Sequence, residues 1–132
     1  MSEVIRKEQV MPLFLEAAPS FRSAWDRYAS DTSYDEELLY AHLGEVARFL
    51  VDSMKNGETT FFPAVFSIVE RLHLDGDDYV SEAATIGLLE GIQNLAGEEL
   101  AREFEPFLEP ESKQWWDKLN RFWDGDPKPL QE

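Results

Sequence analysis

Apolar residues recur at steps of three and four along most of this chain, and this spacing constrains the fold more than any other sequence feature. The clearest case is the segment from about Asp35 to Lys55, where a stripe is formed by Leu39, Leu43, Val46, Leu50 and Met54. Residues spaced in this way lie on one face of an α-helix. Asn56-Gly57 follows, and glycine accepts the left-handed conformation in which many helices end. We therefore predict a long amphipathic helix here.

The same spacing predicts further helices on both sides of this segment. Before it we predict a helix over about 8–18 and a short helix that begins at Pro19. After it we predict a helix capped by Thr59 or Thr60 and a helix that begins after the turn at 75–78. Two more helices begin after Gly97 and at Pro110. Pro12 is expected in the opening turn of the first helix or at a kink, because proline inside a helix loses a hydrogen bond. The polar segment 30–33 is predicted to be a loop.

These elements predict an all-α fold, because no segment has the strict alternation of a half-buried strand. Short connections favour a single-domain antiparallel helical bundle or a small HEAT-like helical stack of about six to seven helices. We assign this domain to 1–124 and a loose tail, which contains two prolines, to 125–132. The small residues Ala83, Ala84, Gly87 and Gly91 are expected to let a neighbouring helix approach closely.

The charge of the chain excludes several classes of partner. Twelve lysines and arginines oppose 27 aspartates and glutamates, which gives a net charge of −15. Such a surface repels nucleic-acid phosphates and anionic membranes, and a basic protein partner fits it better. The chain has no cysteine, a charged segment at 1–8 and no apolar run long enough for a membrane span. We expect a cytoplasmic protein.

No catalytic motif is recognisable, so we expect no enzyme activity, metal or cofactor. The chain has no nucleophile elbow, glycine-rich phosphate loop or dinucleotide fingerprint. Glu70 and His73 have the Glu-x-x-His spacing of di-iron bundles, but His42 and Glu45 repeat it only in reverse order. A surface histidine near a helix end is the favoured interpretation. The 75–78 segment lacks the glycine and glutamate of a calcium loop, and a helix cap explains it better.

One acidic segment is a candidate partner-binding surface. Between Glu98 and Glu111 there are six glutamates and a single arginine. Most charge runs are solvated helix faces, but such a surface also speeds encounter with a cationic partner. Trp115 lies about 100° around its helix from the apolar Trp116 face, so it is expected to be partly exposed. The candidate residues are Asp75, Asp77, Asp78, Glu98, Glu99, Glu103, Glu105, Glu109, Glu111 and Trp115.

About half of the chain resembles a family of small uncharacterised bacterial proteins. The resemblance lies in Phe66–Leu72, Gly76-Asp77, Ala83–Asn94, Leu108–Leu119 and Phe122-Trp123. Members usually have glycine where this chain has Glu109. The family is similar to small acidic proteins found beside polymorphic toxins, and this similarity implies an immunity role by association.

Three functions are compatible with these observations. The leading hypothesis is a non-catalytic immunity protein or antitoxin-like inhibitor that neutralises a cognate, basic bacterial toxin by direct binding. The alternative is a helical adaptor or regulatory protein that binds its partner through an apolar patch including Trp115 or Phe61. The third is a carboxylate–histidine metal enzyme using Glu45, Glu70, His42 and His73.

Overall fold

The structure is a computed structural model that describes residues 4–32 and 38–123. Its α-helices are α1 (Lys7–Ala17), α2 (Arg22–Thr32), α3 (Leu39–Lys55), α4 (Phe62–Asp75), α5 (Asp78–Ala83), α6 (Glu90–Arg102) and α7 (Pro110–Trp123). A π-helical segment, Ala84–Leu89, connects α5 to α6, and short 3-10 turns occur at Pro19–Phe21 and Glu105–Phe107. The fold is an all-α single-domain helical bundle, as the sequence predicted.

Helix α4 supplies much of the core. Its apolar stripe places Phe62, Val65, Phe66, Val69 and Leu72 almost completely out of solvent. The helix packs against α1, α5 and α7. At its amino-terminal end the Phe62 ring stacks on Phe104, with ring centroids 5.7 Å apart. Burying a phenylalanine or leucine side chain contributes about 2 kcal/mol, so the buried stripe of α4 contributes substantially to stability.

Helix α3 packs closely on the π-helical segment and on α6. A Cβ atom added at Gly87 would lie 3.5 Å from the Leu43 side chain, and one at Gly91 would lie 3.2 Å from the Cβ of Ala47. The predicted close approach through small residues is therefore confirmed. A larger side chain at position 91 would push α3 away.

Several predicted helix boundaries are confirmed. Asp77 caps α5 by accepting a hydrogen bond from the Val80 backbone N–H at 2.9 Å. Gly97 interrupts α6 with a φ of +79°, a conformation that other residues rarely adopt. Pro110 opens α7, and Trp116 and Leu119 are buried there as expected.

Other boundaries were predicted wrongly. Residues 30–32 continue α2 and are not a loop. Pro12 lies inside α1, so of its two predicted settings the opening turn is wrong and the kink stays a prediction. Neither threonine caps α4, since its N-cap is Phe61 and that position makes no side-chain cap hydrogen bond. Predictions for Ser33, the start of α3 at Asp35 and the 125–132 tail lie outside the described residues.

One backbone pairing links distant parts of the chain. The Ile5 N–H donates to the Asp75 carbonyl at 2.8 Å, and the Ile5 carbonyl accepts from the Asp77 N–H at 3.0 Å. This single bridge holds the segment before α1 against the α4–α5 turn. Over 4–32 and 38–123, no helix has the length and apolar character needed to cross a membrane.

Candidate functional site

Glu70 joins α4 to the amino terminus of α7. Its carboxylate accepts hydrogen bonds from the backbone N–H groups of Glu111 (3.0 Å) and Ser112 (2.9 Å), and from the Ser112 hydroxyl (2.8 Å). N–H groups in the first turn have no partner within their own helix, and the helix dipole there favours a negative charge. Burial alone raises the pKa of Glu70, but the hydrogen bonds from Glu111 and Ser112 lower it overall. Glu70 is thus an ionised cap supplied by another helix.

His73 lies three residues after Glu70 and is half-buried. Its Nδ1 is 3.0 Å from the Val69 carbonyl oxygen, and its Nε2 is 3.0 Å from the Thr85 hydroxyl. A carbonyl can only accept, so Nδ1 carries the hydrogen and Nε2 accepts from Thr85. Burial lowers the pKa of His73, which favours this neutral form. His73 is more enclosed than the surface histidine that we expected.

Glu70, Ser112 and His73 are the residue types of a nucleophilic triad, but they are not hydrogen-bonded in the order that a triad requires. The Ser112 hydroxyl donates to Glu70 and lies 3.4 Å from His73 Nδ1, so serine is between the other two groups. In a nucleophilic triad the histidine lies between serine and carboxylate. Ser112 is also completely buried. In this arrangement the three side chains connect α4 to α7.

Beside this junction lies an open pocket that we call the acidic cleft. It has a volume of about 450 Å³, and its walls include His73, Asp78, Glu82, Thr85, Glu111 and Trp115. Asp78 and Glu82 are four residues apart and therefore share one face across α5. Glu111 and Trp115 have the same spacing on α7. The cleft thus runs between two helix faces that each carry carboxylates.

The charged residues that line the acidic cleft are all carboxylates. Three carboxylates and no lysine or arginine belong to its described lining. The Tyr40 hydroxyl donates to Glu82 at 3.1 Å, and burial together with Glu82 raises the pKa of Tyr40 to about 12. The Lys118 ammonium lies 4.4 Å from the centre of the Trp115 ring, so this ring already contacts one cation of the chain itself. The cleft is suited to a positively charged group.

The structure brings together only part of the predicted partner-binding set. Asp78, Glu111 and Trp115 line the acidic cleft. Asp77 is occupied in capping α5, and half-buried Asp75 lies next to the Ile5 bridge.

The other predicted acids lie on α6 or between α6 and α7. Glu98 pairs with Arg102 at 3.0 Å, and Glu105 lies 3.7 Å from Lys113. Glu99 and Glu103 are exposed and Glu109 is half-buried.

Two of the titratable lining residues, Glu82 and His73, were missed as partner-binding candidates, and Glu82 had a sequence signal. Glu82 follows Asp78 by four residues, a spacing that puts both carboxylates on one helix face. His73 was considered only as a metal ligand. Its position beside Glu111 depends on a junction between residues far apart in sequence, and no local pattern indicates it.

The four residues of the metal-enzyme hypothesis do not form one cluster. His42 is buried, and its ring contacts Trp25 and Tyr28, with Nδ1 3.0 Å from the Tyr28 hydroxyl. Glu70 and His73 face α7 instead. Within the described ranges, no group of three or more histidine, aspartate and glutamate side chains is placed to hold a metal ion.

Comparison with known proteins identifies one family. A family model described as a domain of unknown function, DUF7674, matches residues 11–124. The match spans all the residues that line the acidic cleft. No curated protein and no solved structure is similar enough to match.

Proposed function

This chain belongs to the DUF7674 family, and we propose that it is a non-catalytic protein-binding domain that inhibits a basic bacterial toxin in the manner of an immunity protein. The observation that supports this most is the acidic cleft, whose lining combines Asp78, Glu82 and Glu111 with Trp115. Carboxylates beside an aromatic ring are the groups that recognise arginine and lysine side chains. The partner surface is therefore expected to be cationic.

The energetics of such a cleft favour a charged side chain of the partner over a small free cation. A guanidinium donates several hydrogen bonds in one plane, and two carboxylates on facing helices can accept them together. Removing the bound pair from water strengthens the attraction, while an exposed pair contributes at most about 1 kcal/mol. The net charge of −15 adds long-range attraction that increases the association rate.

An immunity role adds a biological requirement to this binding chemistry. The inhibitor would block the active site of the toxin or the surface with which the toxin binds its substrate, and for a nuclease that surface is basic. A small acidic domain can cover it and compete with nucleic-acid phosphates. The sequence resemblance to small acidic proteins found beside polymorphic toxins implies this role by association.

The test compares two triple variants that carry the same charge. In the cleft variant, Asp78→Asn, Glu82→Gln and Glu111→Gln neutralise the cleft. In the control variant, Glu16→Gln, Asp52→Asn and Glu58→Gln neutralise exposed acids outside it. Tagged wild-type and variant proteins are used to capture partners from the source cells at low and high salt, and the captured proteins are identified by mass spectrometry.

We expect a basic partner that binds the wild-type and control proteins and is lost from the cleft variant. That partner should stop growth when expressed alone, and co-expression of the wild-type chain should restore growth. Equal capture by both variants would show that the cleft is not the binding surface. A partner that is harmless when expressed alone would exclude the immunity role and support the adaptor.

A further inference from the structure

His73 brings a group that titrates near neutral pH into the wall of the acidic cleft. An unperturbed histidine has a pKa of about 6.5, whereas carboxylic acids ordinarily titrate at about 4. The described lining of the cleft contains one histidine and three carboxylates. Because His73 is half-buried, a proton and a ligand in the cleft can both approach its ring. The charge of this wall therefore changes mainly at His73 between neutral pH and about pH 5.

The hydrogen bonds of His73 fit both protonation states of its ring. In the neutral form, Nδ1 donates to the Val69 carbonyl at 3.0 Å and Nε2 accepts from the Thr85 hydroxyl at 3.0 Å. The Thr85 hydroxyl has a second acceptor within reach, the Ser81 carbonyl at 3.4 Å. In the protonated form, Nε2 donates to the Thr85 oxygen, and the Thr85 hydrogen turns to Ser81. Since only that hydrogen has to rotate, His73 can take up a proton without movement of its neighbours.

The charged groups that share the cleft with His73 or act on its ring are carboxylates from each helix around it. They are Glu70 on α4, Asp78 and Glu82 on α5, and Glu111 on α7. The π-helical segment adds only uncharged side chains to the described lining, and α1, which also packs on α4, adds none. Burial lowers the pKa of His73 and outweighs the opposite effect of Glu70 and Glu111. The ring is therefore neutral at neutral pH, and the wall then carries carboxylate charges alone.

We propose that a proton on His73 competes with the cationic side chain of the partner for the acidic cleft, so that acidification weakens binding. Protonation adds a positive charge to the wall that a guanidinium or ammonium group would contact, and like charges repel. The hydroxyl of Thr85 makes this change possible within the folded protein. The presence of a cationic partner rests on the proposed function, whereas the proton site rests on His73, Thr85 and Ser81 alone.

The competition has to be reciprocal. Two ligands that weaken each other's binding do so by the same factor, and such factors are typically about 5–150-fold. A cation in the cleft should therefore make His73 release its proton more readily. We expect a factor of about fivefold, at the lower end of that range, because the cleft is open to solvent and water weakens the repulsion.

The first test titrates acetyl-arginine amide into the ¹⁵N-labelled protein at low salt, in steps from about pH 8 to about pH 5. Binding is followed by the indole N–H signal of Trp115 in two-dimensional NMR spectra. We expect saturable binding whose affinity falls about fivefold as His73 takes up its proton. Acetyl-citrulline amide has nearly the same shape but no charge, so any binding of this matched probe should not depend on pH over the same range.

Two variants separate His73 from other effects of pH. His73→Gln retains a polar side chain that does not titrate, so its affinity for acetyl-arginine amide should be the same at both ends of the range. The cleft variant, with neutral Asp78, Glu82 and Glu111, should lose the probe at every pH. The control variant has the same net charge as the cleft variant and should retain both the binding and its dependence on pH.

The second test uses the wild-type protein and so does not depend on the folding of any variant. The pKa of His73 is measured from its imidazole signals with and without saturating acetyl-arginine amide. We expect the probe to lower this pKa, with the proton dissociation constant rising by the same fivefold factor. His42 does not belong to the described lining, so its signals are the internal control and should not respond to the probe.

Two results would overturn the inference, and they have different consequences for the proposed function. If the probe binds with one affinity at all pH values, or if His73→Gln keeps the pH dependence, the cleft binds cations without this regulation and the proposed function stands. If the probe binds at no pH, the cleft is not a cation site. Both the inference and the assignment of the cleft as the partner surface would then be wrong.

Discussion

Helix α7 meets its neighbours through two polar junctions that differ in completeness. At the junction with α4, Glu70 accepts every hydrogen that Glu111 N–H, Ser112 N–H and the Ser112 hydroxyl offer to it. At the junction with α6, Gln93 and Trp116 each keep one buried polar atom without a partner in the described ranges. A fully paired network holds helices together, whereas each unpaired buried polar group lowers the stability of the junction. The two junctions of α7 should therefore contribute unequally to the stability of the fold.

The largest expected effect comes from removing the satisfied junction. Glu70→Ala leaves three buried or half-buried donors of α7 without an acceptor. We expect the free energy of unfolding to fall by about 3 kcal/mol, measured by urea denaturation. Glu70→Gln retains an acceptor and should cost less. A loss under about 1 kcal/mol in Glu70→Ala would show that the junction contributes little and would remove the contrast with α6.

A change of pH should have a smaller effect on the free energy of unfolding, and it tests the same Glu70 junction. The pKa of Glu70 is lower in the folded protein than in the unfolded chain, so the unfolded chain takes up its proton first. The stabilisation is therefore present above about pH 4.3 and is lost as the pH falls through the folded value.

The pKa of His73 is also lowered, by burial, and its contribution is lost as the pH falls below about 6.5. Unfolding free energies measured across this range should show both losses. Glu70→Gln should lack the lower step and His73→Gln the upper one. Parallel curves for the wild type and Glu70→Gln below pH 4.3 would contradict the assigned role of the carboxylate.

The smallest effect on stability should come from the α6 junction. Gln93→Met gives up two hydrogen bonds of 3.3 and 3.1 Å but also removes a buried acceptor that lacks a partner. These terms oppose each other, so we expect a change under about 1 kcal/mol in the same denaturation assay. Ser112→Ala, which breaks the α4 junction instead, is the matched comparison and should cost more. If both variants lost the same free energy of unfolding, the two junctions would contribute equally to stability.

The helices could be predicted from sequence because their signals are local. The α3 stripe, the Asp77 cap and the break at Gly97 each depend on residues a few positions apart, and the small residues around Gly91 form a local pattern as well. The errors at residues 30–32 and at Thr59 arose from turn and cap preferences, which are weak and which the structure does not follow there.

The site was less predictable because its parts come from distant segments. Glu70 meets Ser112 across 42 positions, and Gln93 meets Asn120 across 27. Spacing within one helix could place Asp78 with Glu82, but it could not pair α5 with α7. It also could not show that the acids of 98–111 divide between different surfaces. The burial of Trp116 was predicted, whereas the missing partner of its indole nitrogen is visible only in three dimensions.

The π-helical segment Ala84–Leu89 allows one continuous helical run to contact two different parts of the fold. A π turn contains one residue more than an α turn, so it rotates everything after it relative to everything before it. Thr85 reaches back to His73, while Gly91, six positions later, faces Ala47. Removing one residue from this segment would restore an uninterrupted α-helix and turn one of those two faces towards solvent. Length variation within the family should therefore avoid this segment, and a deletion there should separate the acidic cleft from the α3 interface.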